Sequence, residues 1–197
     1  MASFAVNSFL QNVDLGIFSP CLMIIKKELQ IGDAGIAFLS CITFLVCGIF
    51  SFFTQPALLR YEAKTLCLLA VLCNALGSLV MVFSTHFYFL VFGRCLSGIA
   101  QAFLCTYTPV WINEFAPVES ATTWMALPQA LGILGTIIGL VIGSAAADIE
   151  YLGSPEYFDW RKAFLVQAIG FVIILAIFAC FTNEYLDTLY IEKAEVA

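Results

Sequence analysis

The chain has 197 residues, 62% of them hydrophobic and 11% charged, and its mean hydropathy is +0.99. A soluble domain carries about 25% charged residues, so the composition excludes an ordinary soluble globule and describes a multi-pass membrane protein in a lipid bilayer. Eight Lys and Arg stand against fourteen Asp and Glu. That balance excludes nucleic acid as a partner, because such a partner needs a basic surface.

At about 20 residues per crossing plus short loops, this length accommodates roughly six spans. No basic region precedes the first apolar run, so that run is expected to target and insert the chain rather than to be cleaved. The first helix is predicted over residues 4–25, with Asn12 and Asp14 in mid-span, Ser19-Pro20 beyond them and Lys26-Lys27-Glu28 after it. The second is predicted over 34–59, and the polar loop Arg60-Tyr61-Glu62-Ala63-Lys64 leads to a third over 65–84. The fourth, over 86–117, carries Arg94 among the small residues Gly93, Ser97, Gly98 and Ala102, and then Thr108-Pro109. Small residues at helical spacing let a neighbouring backbone come close, and a charge in hydrocarbon is costly unless a partner or water meets it. The fifth, over 120–147, contains Pro128 and the row Gly132, Gly135, Gly139 and Gly143. A hydrophilic segment, 148–159, precedes a sixth helix over 163–181 and an acidic tail over 182–197. The transmembrane domain is therefore expected over 1–181 and the tail over 182–197. Trp111, Trp124 and Trp160 fall near predicted helix ends, where interfacial anchors are expected.

Orientation is not decided by charge. Arg60, Lys64 and Lys193 lie on one side, and Lys26, Lys27, Arg161 and Lys162 on the other, a split the positive-inside rule does not resolve. The first and fourth helices each open a set of three and each carry one mid-span charge followed by a hydroxyl–proline pair. That is the pattern of a 3+3 inverted-topology repeat, an all-α polytopic fold found in transporter halves.

Asp14 lies about ten residues into its helix and Arg94 about eight into one of opposite direction. At about 1.5 Å per residue in a core of about 30 Å, the two charges share nearly the same depth. A cavity-lining ion pair that contacts solute or gates, a structural salt bridge, and an Arg94 that snorkels to the nearer interface all remain open. Intramembrane charges mark function and also hold helices together, so function and structure weigh evenly. Gln101, two turns beyond Arg94 on the same face, and Asn12, near Asp14, can each hydrogen-bond a ligand, each other or a backbone carbonyl. Such interhelical bonds are worth about 1 kcal/mol, and for Asn12 packing is the readier reading. Gly98 and the glycine row of the fifth helix read as close-packing seams, with a hinge as the alternative. His86 reads as loop surface. The eight cysteines form no C-x-x-C pair and there is a single histidine, so they are expected to be free thiols acting as small hydrophobes, with no disulfide, metal or cofactor. No nucleophile–base set or phosphate-binding loop is present, so enzyme activity is not expected.

The stretch Gly93-Arg94-x-x-x-Gly98-x-x-Gln101-Ala102, with Thr108-Pro109-x-x-x-Asn113-Glu114-x-Ala116-Pro117, resembles the fourth helix of the major facilitator superfamily. It is closest to the Spinster-like and related organic-solute branches. Asp159-Trp160-Arg161-Lys162-Ala163-Phe164 resembles the entry to that family's sixth helix. The resemblance covers nearly the whole chain, and only the N-terminal six of the family's usual twelve helices. It implies a small organic solute moved by alternating access, both termini in the cytoplasm, and a second six-helix half in the same chain, a second copy or another subunit. Two departures stand out. Arg60 and Lys64 keep basic positions of the family's loop between helices 2 and 3, while Leu59 and Ala63 replace an acidic and a basic one, which weakens that loop's implied role in gating. In Spinster-like members a carboxylate implicated in proton coupling takes the place of Gln101, so the resemblance leaves Asp14 as the candidate for that role. The rival reading is a non-transporting half-fold that serves as a structural subunit of a larger membrane complex.

Overall fold

The computed structural model describes residues 2–117, 119–151 and 160–180. These form six helices: α1 (Ala2–Glu28), α2 (Asp33–Arg60), α3 (Ala63–Val82), α4 (Phe87–Phe115), α5 (Ala121–Tyr151) and α6 (Trp160–Cys180). Each is long and apolar enough to cross a membrane. Chains of this kind span bilayers as helices because hydrocarbon offers their backbone amides no water to bond. Among the described residues there is no strand.

Helix pairing carries the internal symmetry. α1 packs on α5 and α4 on α2, α3 packs on α4 and α6 on α1, and α3 packs on α6. Exchanging 1 with 4, 2 with 5 and 3 with 6 returns the same set of pairs. The fold is thus two inverted trios, the 3+3 repeat expected from the sequence.

Along the helix axes the interior has three layers. One apolar cluster gathers Phe4, Val71, Phe103, Tyr107, Trp111, Phe171 and Phe178. A second, at the opposite end of the bundle, gathers Ile17, Ile25, Leu39, Met81, Leu90, Trp160 and Phe164. On every helix that contributes to both, buried polar side chains fall between the two: Asn7, Gln11 and Asp14 on α1, Asn74 and Ser78 on α3, Arg94 and Ser97 on α4, and Gln167 on α6. A polar layer is therefore enclosed at mid-depth.

Helix limits depart from expectation at the ends. α5 continues through Tyr151, into the segment read as a hydrophilic linker. Nothing in Asp148-Ile149-Glu150 breaks a helix, since polarity ends membrane burial and not helicity. α6 begins at Trp160, three residues early. Trp111 and Trp160 do not sit as lipid-facing anchors but are buried, Trp160 completely. Its indole Nε1 donates to Glu28 Oε2 at 3.0 Å, so a carboxylate at the end of α1 replaces the headgroup region as its polar partner. The tail 182–197, Phe181 and Asp159 lie outside the described residues.

Candidate functional site

α1, α4 and α5 line an open cavity of about 490 Å³. Its polar wall comes from Ser8, Gln11 and Asn12 on α1, Gln101 and Thr108 on α4, and Gln129 and Thr136 on α5. On α1 the positions 8, 11 and 12 share one face by helical spacing, as do 101 and 108 on α4 and 129 and 136 on α5. Two prolines, Pro109 and Pro128, line the cavity as well. Each removes a helical N–H bond, which membrane helices tolerate beside a cavity. Every polar lining group is a neutral amide or hydroxyl, apart from the Cys105 thiol.

Asn12 and Gln101 stand on this wall. Asn12 also donates from Nδ2 to the Ser8 carbonyl at 2.8 Å and accepts from the Thr136 hydroxyl at 3.5 Å, which ties the α1 and α5 faces of the cavity together. Asp14 and Arg94 are not among the lining residues; they lie behind it, in the polar layer. Arg94 donates from a terminal nitrogen to Asp14 Oδ2 at 2.6 Å, and both side chains are almost wholly buried. The guanidinium also stacks 3.4 Å above the Phe18 ring, a favourable face for a desolvated cation. The pair joins α1 to α4, the equivalent helices of the two trios. Arg94 does not snorkel: at 2% exposure it is held inside the bundle.

The remaining positions singled out from sequence fall elsewhere. Gly132, Gly135, Gly139 and Gly143 face α1, where a Cβ at three of them would run into the backbone of Phe9, Val13 or Ile17 and at Gly132 into the Asn12 amide. Gly98 approaches the Thr43 carbonyl of α2, 2.7 Å from where its Cβ would stand. Arg60 closes α2 and is exposed, and Lys64 lies in the first turn of α3. Neither takes part in an ion pair among the described residues. His86 is exposed at the N-cap of α4.

Sequence reasoning missed Ser8, Gln11, Gln129 and Thr136 on the cavity wall, and Asn74 in the polar layer. The available signal was weak but real: amides and hydroxyls three, four or seven apart in spans otherwise apolar, and a lone Asn in the middle of α3.

Six crossing-length helices in two inverted trios, with a buried polar layer beside a neutral polar cavity, define the half-unit of a membrane carrier fold. The chain belongs to the Major Facilitator Superfamily, whose family model matches residues 4–192. It is 25% identical over 173 residues to the glucose transporter GlcP of Staphylococcus epidermidis, an alignment covering 87% of this chain and 36% of that protein. It is likewise 25% identical over 174 residues to putative polyol transporter 2 of Arabidopsis thaliana, covering 86% of this chain and 32% of the relative. In structure it is similar to a bacterial homologue of the human lysosomal transporter Spinster in an inward-facing, unoccupied conformation. That match has a TM-score of 0.79 at 15% identity and covers 92% of this chain and 42% of the other. The chain thus spans about a third of the length of these curated relatives.

Proposed function

We propose that the chain forms the N-terminal half of a secondary transporter for a neutral, polyhydroxylated small solute, a sugar or polyol, working by alternating access with a second six-helix half. The observation that carries this reading is the cavity wall. Seven amide and hydroxyl side chains and no charged one line a space of about 490 Å³, within the size range of small-molecule sites. An amide presents a donor and an acceptor side by side, which matches a pair of neighbouring hydroxyls and gives nothing extra to a charged solute. The sugar and polyol transporters among the relatives support the same class.

Gln101, Gln129 and Asn12 are the residues proposed to contact solute. Asp14 and Arg94 are proposed to couple the trios from behind the wall. Breaking the pair leaves a desolvated charge, so its making and breaking is a large lever on conformation. Asp14 is the remaining candidate for proton coupling, and both termini are proposed to be cytoplasmic.

The test is uptake into cells or vesicles carrying the protein at its native length, with the endogenous N-terminus tagged to establish that length. Uptake of a radiolabelled sugar or polyol, competed by neutral sugars and not by organic anions or cations, is the expected result. Gln129→Ala is expected to raise KM about 3–10-fold, the loss of one neutral hydrogen bond. Competition by charged solutes would overturn the solute class. Absence of uptake together with co-purification in a larger complex would favour the structural subunit.

A further inference from the structure

Behind the main cavity the polar layer contains a second chamber, of about 10 Å³. It is bounded by Gln11, Asp14 and Leu15 of α1, Thr43 of α2, Asn74 of α3, and Ser97 and Gln101 of α4. All of these except Leu15 are polar. That is about the least free space in which a single water fits, and a buried water needs some two to four polar partners.

Two of the bounding side chains point to an occupant. Gln11 Nε2 and Asn74 Nδ2 have no hydrogen-bond partner among the described residues, although the two residues are only 8% and 3% exposed. Arg94 Nε and Ser78 Oγ, in the same layer, are in the same condition. Buried donors left unmet are costly, and hydrocarbon offers them nothing. Three of these four atoms are N–H groups and the fourth is a hydroxyl, and a water can accept from the first and exchange a hydrogen bond with the second. A monovalent cation fits badly, because the Arg94 guanidinium is held 2.6 Å from Asp14 beside the chamber and already meets that carboxylate. An anion fits no better, because the Asp14 carboxylate forms part of the wall.

We propose that this chamber is an internal water site, with Asn74 as the residue that positions the water against Asp14. Gln11 and Gln101 line both this chamber and the main cavity, so the two amides form the partition across which the water exchanges. The bound water accepts from Gln11 and Asn74 and donates to the Asp14 carboxylate. The ion pair is thereby hydrated from one side, and Asp14 keeps a partner when Arg94 moves away. That last role rests on the transporter reading; the water site does not.

The test is radiolytic footprinting in H2(18)O of the full-length protein, solubilised and without added solute. Radicals formed from a trapped water oxidise the side chain beside it, and Leu15 is the one aliphatic group on the chamber wall. Leu15 is half-buried, so the label that reports the chamber is the part that filling it removes, and Leu90, fully buried in an apolar cluster, sets the dry baseline. Leu15 is expected to acquire labelled oxygen several-fold above Leu90. Asn74→Leu, which fills the chamber, is expected to remove most of the Leu15 label, while Asn74→Ser retains it. Labelling of Leu15 no greater than that of Leu90 in the unaltered protein overturns the site without reference to any variant's folding. Equal labelling of Leu15 in Asn74→Leu and the unaltered protein overturns the role of Asn74. Loss of the label, or a raised Tm, when sodium replaces potassium would mean a cation in the chamber and would also overturn the proposal. Because no solute is added, a failed solute assignment and a failed water site are read separately.

Discussion

The two trios have equivalent seams, α1 on α5 and α4 on α2, and the two are built differently. At α1/α5 the helices meet backbone to backbone. Gly16, Gly135, Gly139 and Gly143 each lie where a Cβ would strike a main-chain atom of the other helix; at Gly143 that atom is the Ile17 carbonyl oxygen at 2.7 Å. At α4/α2 one glycine, Gly98, makes such an approach, and Gly48 of α2 has open space around it. The rest of that seam is made by side chains, with the Thr43 hydroxyl donating to the Arg94 carbonyl at 3.4 Å. A fold symmetric in its pairing has concentrated its closest packing in one of two equivalent places. Main-chain contact between glycines has no rotamers through which to adjust, whereas a side-chain seam can repack. The difference marks α1/α5 as the rigid seam and α4/α2 as the adjustable one.

The comparison can be broken most severely at Arg94, which serves both trios. Its carbonyl accepts from α2 and its guanidinium reaches Asp14 on α1. Arg94→Ala strands a buried carboxylate and is expected to cost about 3–5 kcal/mol, read as a fall in Tm in detergent. Replacing Asp14 by Leu in the same chain should recover part of that loss, because the stranded charge is then gone; no recovery would mean that Arg94 acts through packing alone. Next come Gly135→Ala and Gly139→Ala, each expected to cost about 1–3 kcal/mol because one helix must move away from the other. Unchanged melting in both would remove the distinction between the seams. A smaller loss is expected at the end of the bundle, where Arg161 bonds Glu28 at 2.5 Å with both side chains partly exposed. Glu28→Gln should cost about 0–1 kcal/mol from that pair and diminish further in high salt. Least of all is Gly48→Ala, where the added methyl meets nothing. The change there should be neutral or stabilising by up to about 1 kcal/mol through helix propensity, and a loss comparable to Gly139→Ala would mean that α2 packs more tightly than the geometry says.

The number of spans, their order and the inverted repeat were legible because each rests on long apolar runs and two conspicuous charges. The depth argument that put Asp14 opposite Arg94 needed only the rise of a helix. What the sequence could not separate was polar residues that bond within the bundle from polar residues that line space. Gln129 and Gln167 are both amides in apolar spans. One lines the cavity, while the other is buried and donates to the Leu10 carbonyl at 3.2 Å. Trp160 misled for a related reason. Its place near a helix end suggests a lipid anchor, and only the position of Glu28, 132 residues away in sequence, shows that its N–H is met by the protein.

The ion pair has a further consequence in time. Asp14 and Arg94 are 80 residues apart, and α5, which covers α1, follows later still. At a synthesis rate of about 5–20 residues per second, the carboxylate waits roughly 4–16 s for its arginine. During that interval α1 is a marginally apolar segment with an unmatched charge, so its residence in the bilayer depends on whatever machinery shelters nascent helices. The contact that joins the two trios in the finished bundle is therefore also one that forms late in its manufacture.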